Sequence, residues 1–261
     1  MNTIREPAVA GMFYPSSAKE LHSMLNDYLS AVKETGKQPK AIIVPHAGYI
    51  YSGPVAATAY ARLKKYRDVI HRVVLLGPSH RHPFIGLAVS SADFFATPLG
   101  NIPLDKAAID KIKVVPSVRV LDEAHLLEHS LEVHLPFLQE VLDDFSLAPV
   151  VVGEANPEDI SQVLEILWGG PETLIVISSD LSHYHDYHTA KRMDKATSDA
   201  IEELRFEDIQ YDDACGRTPI NGLLYLARKK GYHIKTVDLR NSGDTAGPRD
   251  QVVGYGAYVL E

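Results

Sequence analysis

Three histidines and one aspartate directly follow apolar, strand-like runs in this sequence. His46 ends "AIIVPH", His80 ends "RVVLLGPSH", and "TLIVISSDLSH" contains Asp180 and ends at His183. Imidazoles and carboxylates move protons near neutral pH and bind transition metals. A lone histidine after a strand is usually a hydrogen-bonded loop residue. When three strands bring such groups to one place, however, the side chains match a two-histidine, one-carboxylate metal site with open coordination positions. We therefore expect a metal or acid–base site.

These side chains can meet only if the strands before them run parallel, because ligands of open parallel sheets bind beyond the carboxyl ends of the strands. The apolar runs 41–45 and 72–77 flank a helical segment that we expect to begin at Pro54, which makes a βαβ unit. A further loop, "LRNSGDTAG", follows a later strand and brings Asp244 toward the same rim. Gly48 and Gly53 are expected to allow tight turns beside His46 or to reflect ordinary turn chemistry.

The remaining elements extend this α/β pattern. Further strands are predicted at 86–90, 147–152, 173–178, 234–239 and 252–260. The strands of the βαβ unit are rich in Ile, Val and Leu rather than alternating, as is typical of a parallel sheet covered on both faces. The helix after Ser17 carries a capping box with Glu20, and Asn156 caps another helix. We predict one domain over residues 1–261, with a mostly parallel central sheet flanked by helices.

A second histidine-rich stretch, "LDEAHLLEHSLEVHLPFLQEVL", reads as one amphipathic helix. Its predicted core-facing leucines are Leu126, Leu127, Leu131, Leu135 and Leu138. His129 and Glu132 share a helix face at this spacing. Two interpretations remain open for that pair: it orients the ligands of a metal, or it buttresses the helix as a buried polar pair.

Composition excludes several classes of protein. The net charge of −8 and the absence of a basic tract argue against nucleic-acid binding. No apolar run spans a bilayer and no signal peptide is evident, so we expect a cytoplasmic protein without a membrane anchor. The HExxH, GxSxG, P-loop and GxGxxG motifs are missing from the sequence.

Cys215 is the only cysteine, so neither an internal disulfide nor a CxxC zinc site is available. It stands at a predicted helix start, where the helix dipole can lower the pKa of a thiol. The alternative is a cysteine that simply packs at a helix end. The sequence leaves both roles open.

Several long motifs in order give the chain a nearly full-length resemblance to the Memo family, the B component of the AmmeMemoRadiSam gene group. They are "REPAVAGMFYP", "PHAGYIYSGPVAATAY", "LLGPSH", "TPLGNIPLD", "EHSLEVHLPFLQ", "SSDLSHY", "ACGRTPI" and "NSGDTAG" with "VVGYGAYVL". Members are similar in fold to class III extradiol dioxygenases. The resemblance therefore implies a single α/β sheet and a mononuclear iron (Fe2+) or copper site.

The resemblance also implies roles for individual residues. The histidines of "PHAGY" and "GPSH", His46 and His80, are the expected imidazole ligands, and "SSDLSH" supplies Asp180 and His183 for proton transfer. Animal Memo uses a cysteine of the C-terminal loop as a further ligand, and here Asp244 stands near that place. A carboxylate completes a ferrous site well, so Asp244 is the expected third ligand and Asp180 the alternative.

Three functions compete at this point. The first is a metal-dependent, dioxygenase-like oxidoreductase that acts on an unidentified small substrate. The second is a non-catalytic module whose histidine-lined cleft binds a peptide or a partner, with a radical-SAM protein as the candidate. The third is a metal-free hydrolase that uses Asp180 and His183 as acid and base.

Overall fold

The computed structural model describes residues 2–33 and 36–261. The strands are β1 (Ile4–Arg5), β2 (Ala41–Val44), β3 (Arg72–Pro78), β4 (Leu87–Val89), β5 (Phe94–Thr97), β6 (Gly100–Pro103), β7 (Val118–Val120), β8 (Ser146–Val152), β9 (Thr173–Ser178), β10 (His183–His185), β11 (Ile234–Asn241) and β12 (Val252–Leu260). The α-helices are α1 (Ala18–Ser30), α2 (Tyr49–Tyr60), α3 (Lys106–Ile112), α4 (Asp122–Leu126), α5 (Leu135–Val141), α6 (Pro157–Ile166), α7 (Tyr187–Glu202) and α8 (Arg217–Lys230). Short 3-10 turns cover Ala61–Tyr66, Glu132–His134, Phe206–Asp208 and Ser242–Asp244.

A nine-stranded sheet forms the centre, in the order β10-β12-β2-β9-β3-β8-β4-β7, with β11 also paired to β12. Strands β2, β9, β3 and β8 are parallel and mostly apolar, and Thr173 and Ser178 of β9 are buried polar residues. At the two ends of this parallel block, β12 is antiparallel to β2 and β4 is antiparallel to β8. The predicted α/β class, with one domain and a helix-flanked sheet, is confirmed. The sheet is parallel at its centre and mixed toward its edges.

The parallel block explains why distant residues meet. Val44 at the end of β2 pairs with Ser178 at the end of β9, and β3 continues the same direction beside β9. His46, Asp180 and His80 follow these three strands within two residues. They therefore leave the sheet at the same edge, as the sequence predicts.

Helix α2 differs from its prediction, because it begins at Tyr49 rather than at Pro54. Pro54 lies inside the helix, where its missing amide removes one backbone hydrogen bond. A Cβ at Gly53 would lie 2.6 Å from the Tyr28 ring, so this glycine permits close packing of α2 on α1. Gly48 precedes the helix with an ordinary φ of −55°. The expectation that Gly53 forms a tight turn around His46 is therefore wrong.

The stretch from 121 to 142 is not the single helix that its leucine spacing predicts. Leu126 and Leu127 are each 61% exposed, whereas Leu131, Leu135 and Leu138 are buried as predicted. The helix breaks because the Glu128 carboxylate accepts hydrogen bonds from the amides of His129 and Ser130, in competition with helical bonding. This break places Glu128 and His129 beside His80.

The predicted N-caps are confirmed at two helix ends. Ser17 accepts a hydrogen bond from the amide of Glu20, and Asn156 accepts one from Asp159. The return bond of the predicted capping box, from the Ser17 amide to the Glu20 side chain, is not among the hydrogen bonds of the described residues. Among the described residues, no helix combines the length and apolar character required to cross a bilayer.

Candidate metal centre

Three side chains bring potential metal-ligand atoms together at the carboxyl edge of the parallel strands. One atom each from His46, His80 and Cys215 lies within 4.8 Å of the others. His46 Nε2 lies 3.3 Å from Cys215 Sγ, and the centres of the His46 and His80 rings are 5.1 Å apart. In a tetrahedral site, nitrogen and sulfur ligands of one ion are separated by about 3.6 Å. A single ion therefore fits this set with small side-chain movements.

Hydrogen bonding fixes the tautomer of His46. Its Nδ1 lies 2.6 Å from Ser178 Oγ, and that hydroxyl donates its own hydrogen to the carbonyl of Ser130. Ser178 can therefore only accept from His46, whose Nδ1 carries the proton. The lone pair of Nε2 faces Cys215, as metal binding requires.

The same hydroxyl continues into a buried neutral network. His134 Nε2 lies 2.8 Å from Ser178 Oγ, and the hydroxyl of Tyr60 donates to His134 Nδ1 at 2.9 Å. Burial lowers the pKa of His134 to about 3. Burial, together with the neighbouring imidazoles of His80 and His129, holds the pKa of His46 well below its ordinary value. His46 therefore stays neutral, which is the form that ligates metals.

A carboxylate positions His80 instead. Nδ1 of His80 lies 2.9 Å from Glu128 Oε1, and the amide of His80 donates to Oε2 of the same carboxylate. Burial would raise the pKa of Glu128, but the hydrogen bonds and charge of His80, with the amide of Ser130, hold it at about 2. Glu128 thus accepts the Nδ1 hydrogen and leaves Nε2 of His80 free for a metal.

Cys215 reaches the cluster from the turn before α8. The amide of Asp180 donates to its sulfur at 3.3 Å, and its own amide donates to the Asp180 carbonyl. Burial, reinforced by the nearby Asp180 carboxylate, raises the pKa of the thiol far above its ordinary value. The helix start does not lower this pKa. The thiol is protonated until a metal ion displaces the proton.

The carboxylates expected as third ligands have other partners. Asp180 accepts the amide of His46 at 2.7 Å, and burial raises its pKa to about 7. Asp244 accepts the hydroxyl of Tyr187 at 2.5 Å and the amide of Asn241 at 3.1 Å. Neither carboxylate belongs to a metal-ligand group found among the described residues, whereas Cys215 does.

His183 lies on β10, antiparallel to β12. Burial lowers its pKa, and the charge of His80 lowers it further. A neutral imidazole can accept a proton from a bound molecule. Its role in proton transfer stays a prediction.

Neither interpretation of the His129–Glu132 pair holds, because the two side chains take different partners. Glu132 binds the N-terminal segment through an ion pair with Arg5 and a hydrogen bond from Tyr14. The His129 ring stacks on His80 with ring centres 4.7 Å apart. With His80 and Glu128 it forms a second metal-ligand group in the described part of the chain. The adjacent "EH" at 128–129 is the sequence signal that could have indicated this arrangement.

The fold and the cluster together define an α/β protein with a candidate metal centre beyond the carboxyl ends of its parallel strands. The model of the family "Memo-like protein" matches residues 5–259. A MEMO1 family protein of Aquifex aeolicus is 40% identical, with 97% of each chain covered. Another from Thermotoga neapolitana is 34% identical over 98% of this chain and 99% of its own. The chain belongs to the Memo family.

A solved structure supports the fold alone. The crystal structure of an uncharacterised protein from Escherichia coli K12 covers 85% of this chain and 100% of its own, with a TM-score of 0.59 and 12% sequence identity. At that identity the likeness concerns the arrangement of the α/β sheet and its helices.

Proposed function

We propose that this protein binds one iron or copper ion through His46 Nε2, His80 Nε2 and Cys215 Sγ. We further propose that the centre serves redox or dioxygenase-like chemistry on a small substrate. The observation that carries the proposal is the convergence of two imidazoles and a thiol within 4.8 Å. Soft thiolate and imidazole ligands suit copper and also accommodate iron. Asp244, the ligand expected from the sequence, is the rival third ligand.

The bound ion would supply Lewis acidity and one-electron redox chemistry. The protein's own side chains would orient the ligands and move protons. Ser178 and Glu128 keep the Nδ1 hydrogens of His46 and His80 in place, so that both Nε2 atoms face the centre. His183 would take a proton from the substrate in its neutral form, and the buried Asp180 would hold the loop of His46.

Metal retention tests this proposal. Protein loaded anaerobically with Fe2+ or Cu(I) and then desalted should keep roughly one ion per chain by elemental analysis. The His46→Ala, His80→Ala double variant and Cys215→Ser should lose it, while Asp244→Asn should keep it. His22→Ala is a matched control, since His22 is a surface histidine that pairs with Glu140. Equal retention by the double variant and the wild type would refute the proposal.

A second candidate function uses the same cleft for a partner, such as a radical-SAM protein. Its support is Tyr184, which is 71% exposed and has a φ of 63°, a left-handed conformation uncommon for tyrosine. Exposed tyrosines are frequent at binding surfaces. Capture of a radical-SAM protein by wild type and by the double variant alike, with loss in Tyr184→Ala, would favour this function over the enzymatic one.

A further inference from the structure

A cavity of about 320 Å³ lies where helices α6 and α8 begin, and no residue of the candidate metal centre lines it. Apolar walls come from Ala155, Pro157, Phe206 and Ile209. The volume is at the lower end of small-molecule pockets. Its polar groups decide what kind of molecule it can take.

Arg217 is the free positive charge of this cavity. Among the ion pairs of the described residues none involves Arg217, and its buried Nε has no hydrogen-bond partner there. Glu207 also lines the cavity, but both of its oxygens are bound by Arg228 at 2.8 Å. Arginine is charged at any physiological pH. The guanidinium of Arg217 is therefore available to an anion.

Asn221 lies one helical turn after Arg217 and lines the same cavity. Its side chain is buried, with the residue only 9% exposed, and Oδ1 has no partner among the described residues. Buried amides are normally hydrogen-bonded, since an unpaired one destabilises the fold. Because this oxygen only accepts hydrogen bonds, a donor group of a ligand in the cavity would satisfy it.

The N-terminus of α8 adds positive partial charge. This helix has 14 residues and begins after Gly216 without a side-chain cap; the Arg217 amide bonds the Ala214 carbonyl and Pro219 has no amide hydrogen, so Thr218, which lines the cavity, offers the free amide of the first turn among the described residues. Helix N-termini favour anions through their free amides and their dipole. Arg217 and the N-terminus of α8 thus point to an anionic group, and the Asn221 oxygen points to a hydrogen-bond donor elsewhere on the same ligand.

We infer that this cavity binds the carboxylate or phosphate group of a small organic anion. Arg217 and the amide of Thr218 hold the oxyanion, the Asn221 oxygen accepts a hydrogen bond from a donor group of the ligand, and Phe206 with Ile209 covers its apolar body. Cys215 lies two residues before Arg217, yet none of the proposed metal ligands lines the cavity. Anion binding is therefore separable from metal binding.

Isothermal titration calorimetry at low ionic strength, with 4-hydroxybenzoate and 4-hydroxyphenyl phosphate as probes, tests the inference, because each probe carries an anionic group and a hydroxyl donor. We expect wild type to bind at least one of them and not to bind neutral 4-hydroxybenzamide, and the preferred probe distinguishes a carboxylate from a phosphate ligand. Arg217→Gln should weaken binding at least about tenfold, because a charge-assisted forked contact is lost. Arg217→Lys keeps the charge without the fork and should weaken it less.

Matched variants separate recognition from folding. Arg217 lies over the ring of Tyr211, and Arg249 lies in the same way over that of Tyr187 but does not line the cavity. Arg249→Gln should therefore bind as wild type does. Asn221→Leu should lose affinity while its Tm is unchanged or higher, because it removes an unpaired buried amide. The His46→Ala, His80→Ala double variant should keep the affinity even if the metal proposal fails. Binding of neither probe, or equal binding by wild type and both Arg217 variants, would overturn the inference.

Discussion

The two imidazoles of the candidate metal centre are held in different ways. His46 rests on a neutral, buried chain of hydrogen bonds through Ser178, His134 and Tyr60. His80 is 30% exposed at its side chain and rests on the charged carboxylate of Glu128. Both supports leave Nε2 facing the centre. The hydrogen-bond network under His46, the neutral side of the centre, keeps its imidazole rigid. The Glu128 carboxylate beside His80, the charged side, also raises the basicity of that imidazole.

The largest effect is expected on the neutral side. Ser178→Ala leaves His46 Nδ1, His134 Nε2 and the Ser130 carbonyl without their common partner. Unpaired buried groups each cost about 1–3 kcal/mol, so we expect a loss of about 3 kcal/mol or more in the free energy of unfolding. Chemical denaturation measures it. Ser117→Ala, whose buried Oγ has no partner in the described structure, should change little. Equal effects of the two changes would contradict the network.

On the charged side, Glu128→Gln should lower metal affinity by about 10- to 100-fold, because the partner of a ligating histidine raises its basicity. Competition with a chelator measures this affinity. Glu140→Gln is the matched control, since Glu140 pairs with Nδ1 of His22 at the surface and lies outside the cluster. An unchanged affinity in Glu128→Gln would show that Glu128 does not act on the ligand.

In the metal-free protein, acid should weaken the contributions of His134 and Glu128 to stability over different pH ranges. The pKa of His134 falls from 6.5 to about 3 on folding, so its contribution to stability is present above pH 6.5 and decreases as the pH falls toward 3. The pKa of Glu128 falls from 4.5 to about 2, so its contribution decreases only below pH 4.5. Between pH 6.5 and 4.5, the free energy of unfolding should fall less in His134→Gln than in wild type, by at most about 2.7 kcal/mol.

Unfolding free energies of both variants at a series of pH values check this order. Glu128→Gln should reduce the loss mainly below pH 4.5. This order is contradicted if Glu128→Gln changes the pH dependence of the free energy of unfolding near pH 6 and His134→Gln does not.

The smallest effect belongs to the far end of the neutral network. Tyr60→Phe removes one hydrogen bond to His134 and should cost about 1 kcal/mol without weakening metal binding. Thermal unfolding and the same chelator competition measure both quantities. A tenfold loss of metal affinity would mean that Tyr60 acts on the centre through His134.

Much of the fold was predictable because its signals are local. The apolar runs of the parallel strands and the caps of α1 and α6 are readable within a few residues, and the sheet then brings His46, His80 and Asp180 to one edge. The strands β1, β5, β6, β7 and β10 span only two to four residues, too few for a periodic pattern.

The rest of the site depends on contacts between distant segments. Cys215 joins the cluster through backbone and sulfur hydrogen bonds with Asp180, 35 residues away in the chain. No local pattern indicates such a contact. The Glu128 carboxylate breaks the helix by accepting hydrogen bonds from the amides of His129 and Ser130. The leucine spacing gives no sign of these bonds.

X-ray absorption at the metal edge tests the central claim, a centre made of two imidazoles and one thiolate, most directly. Wild type loaded with one copper or iron ion should show one sulfur scatterer at about 2.3 Å and two imidazole nitrogens at about 2.0 Å. Cys215→Ser, measured without desalting so that the ion stays in the sample, should lack the sulfur signal. A spectrum with only nitrogen and oxygen ligands, unchanged by Cys215→Ser, would contradict the account.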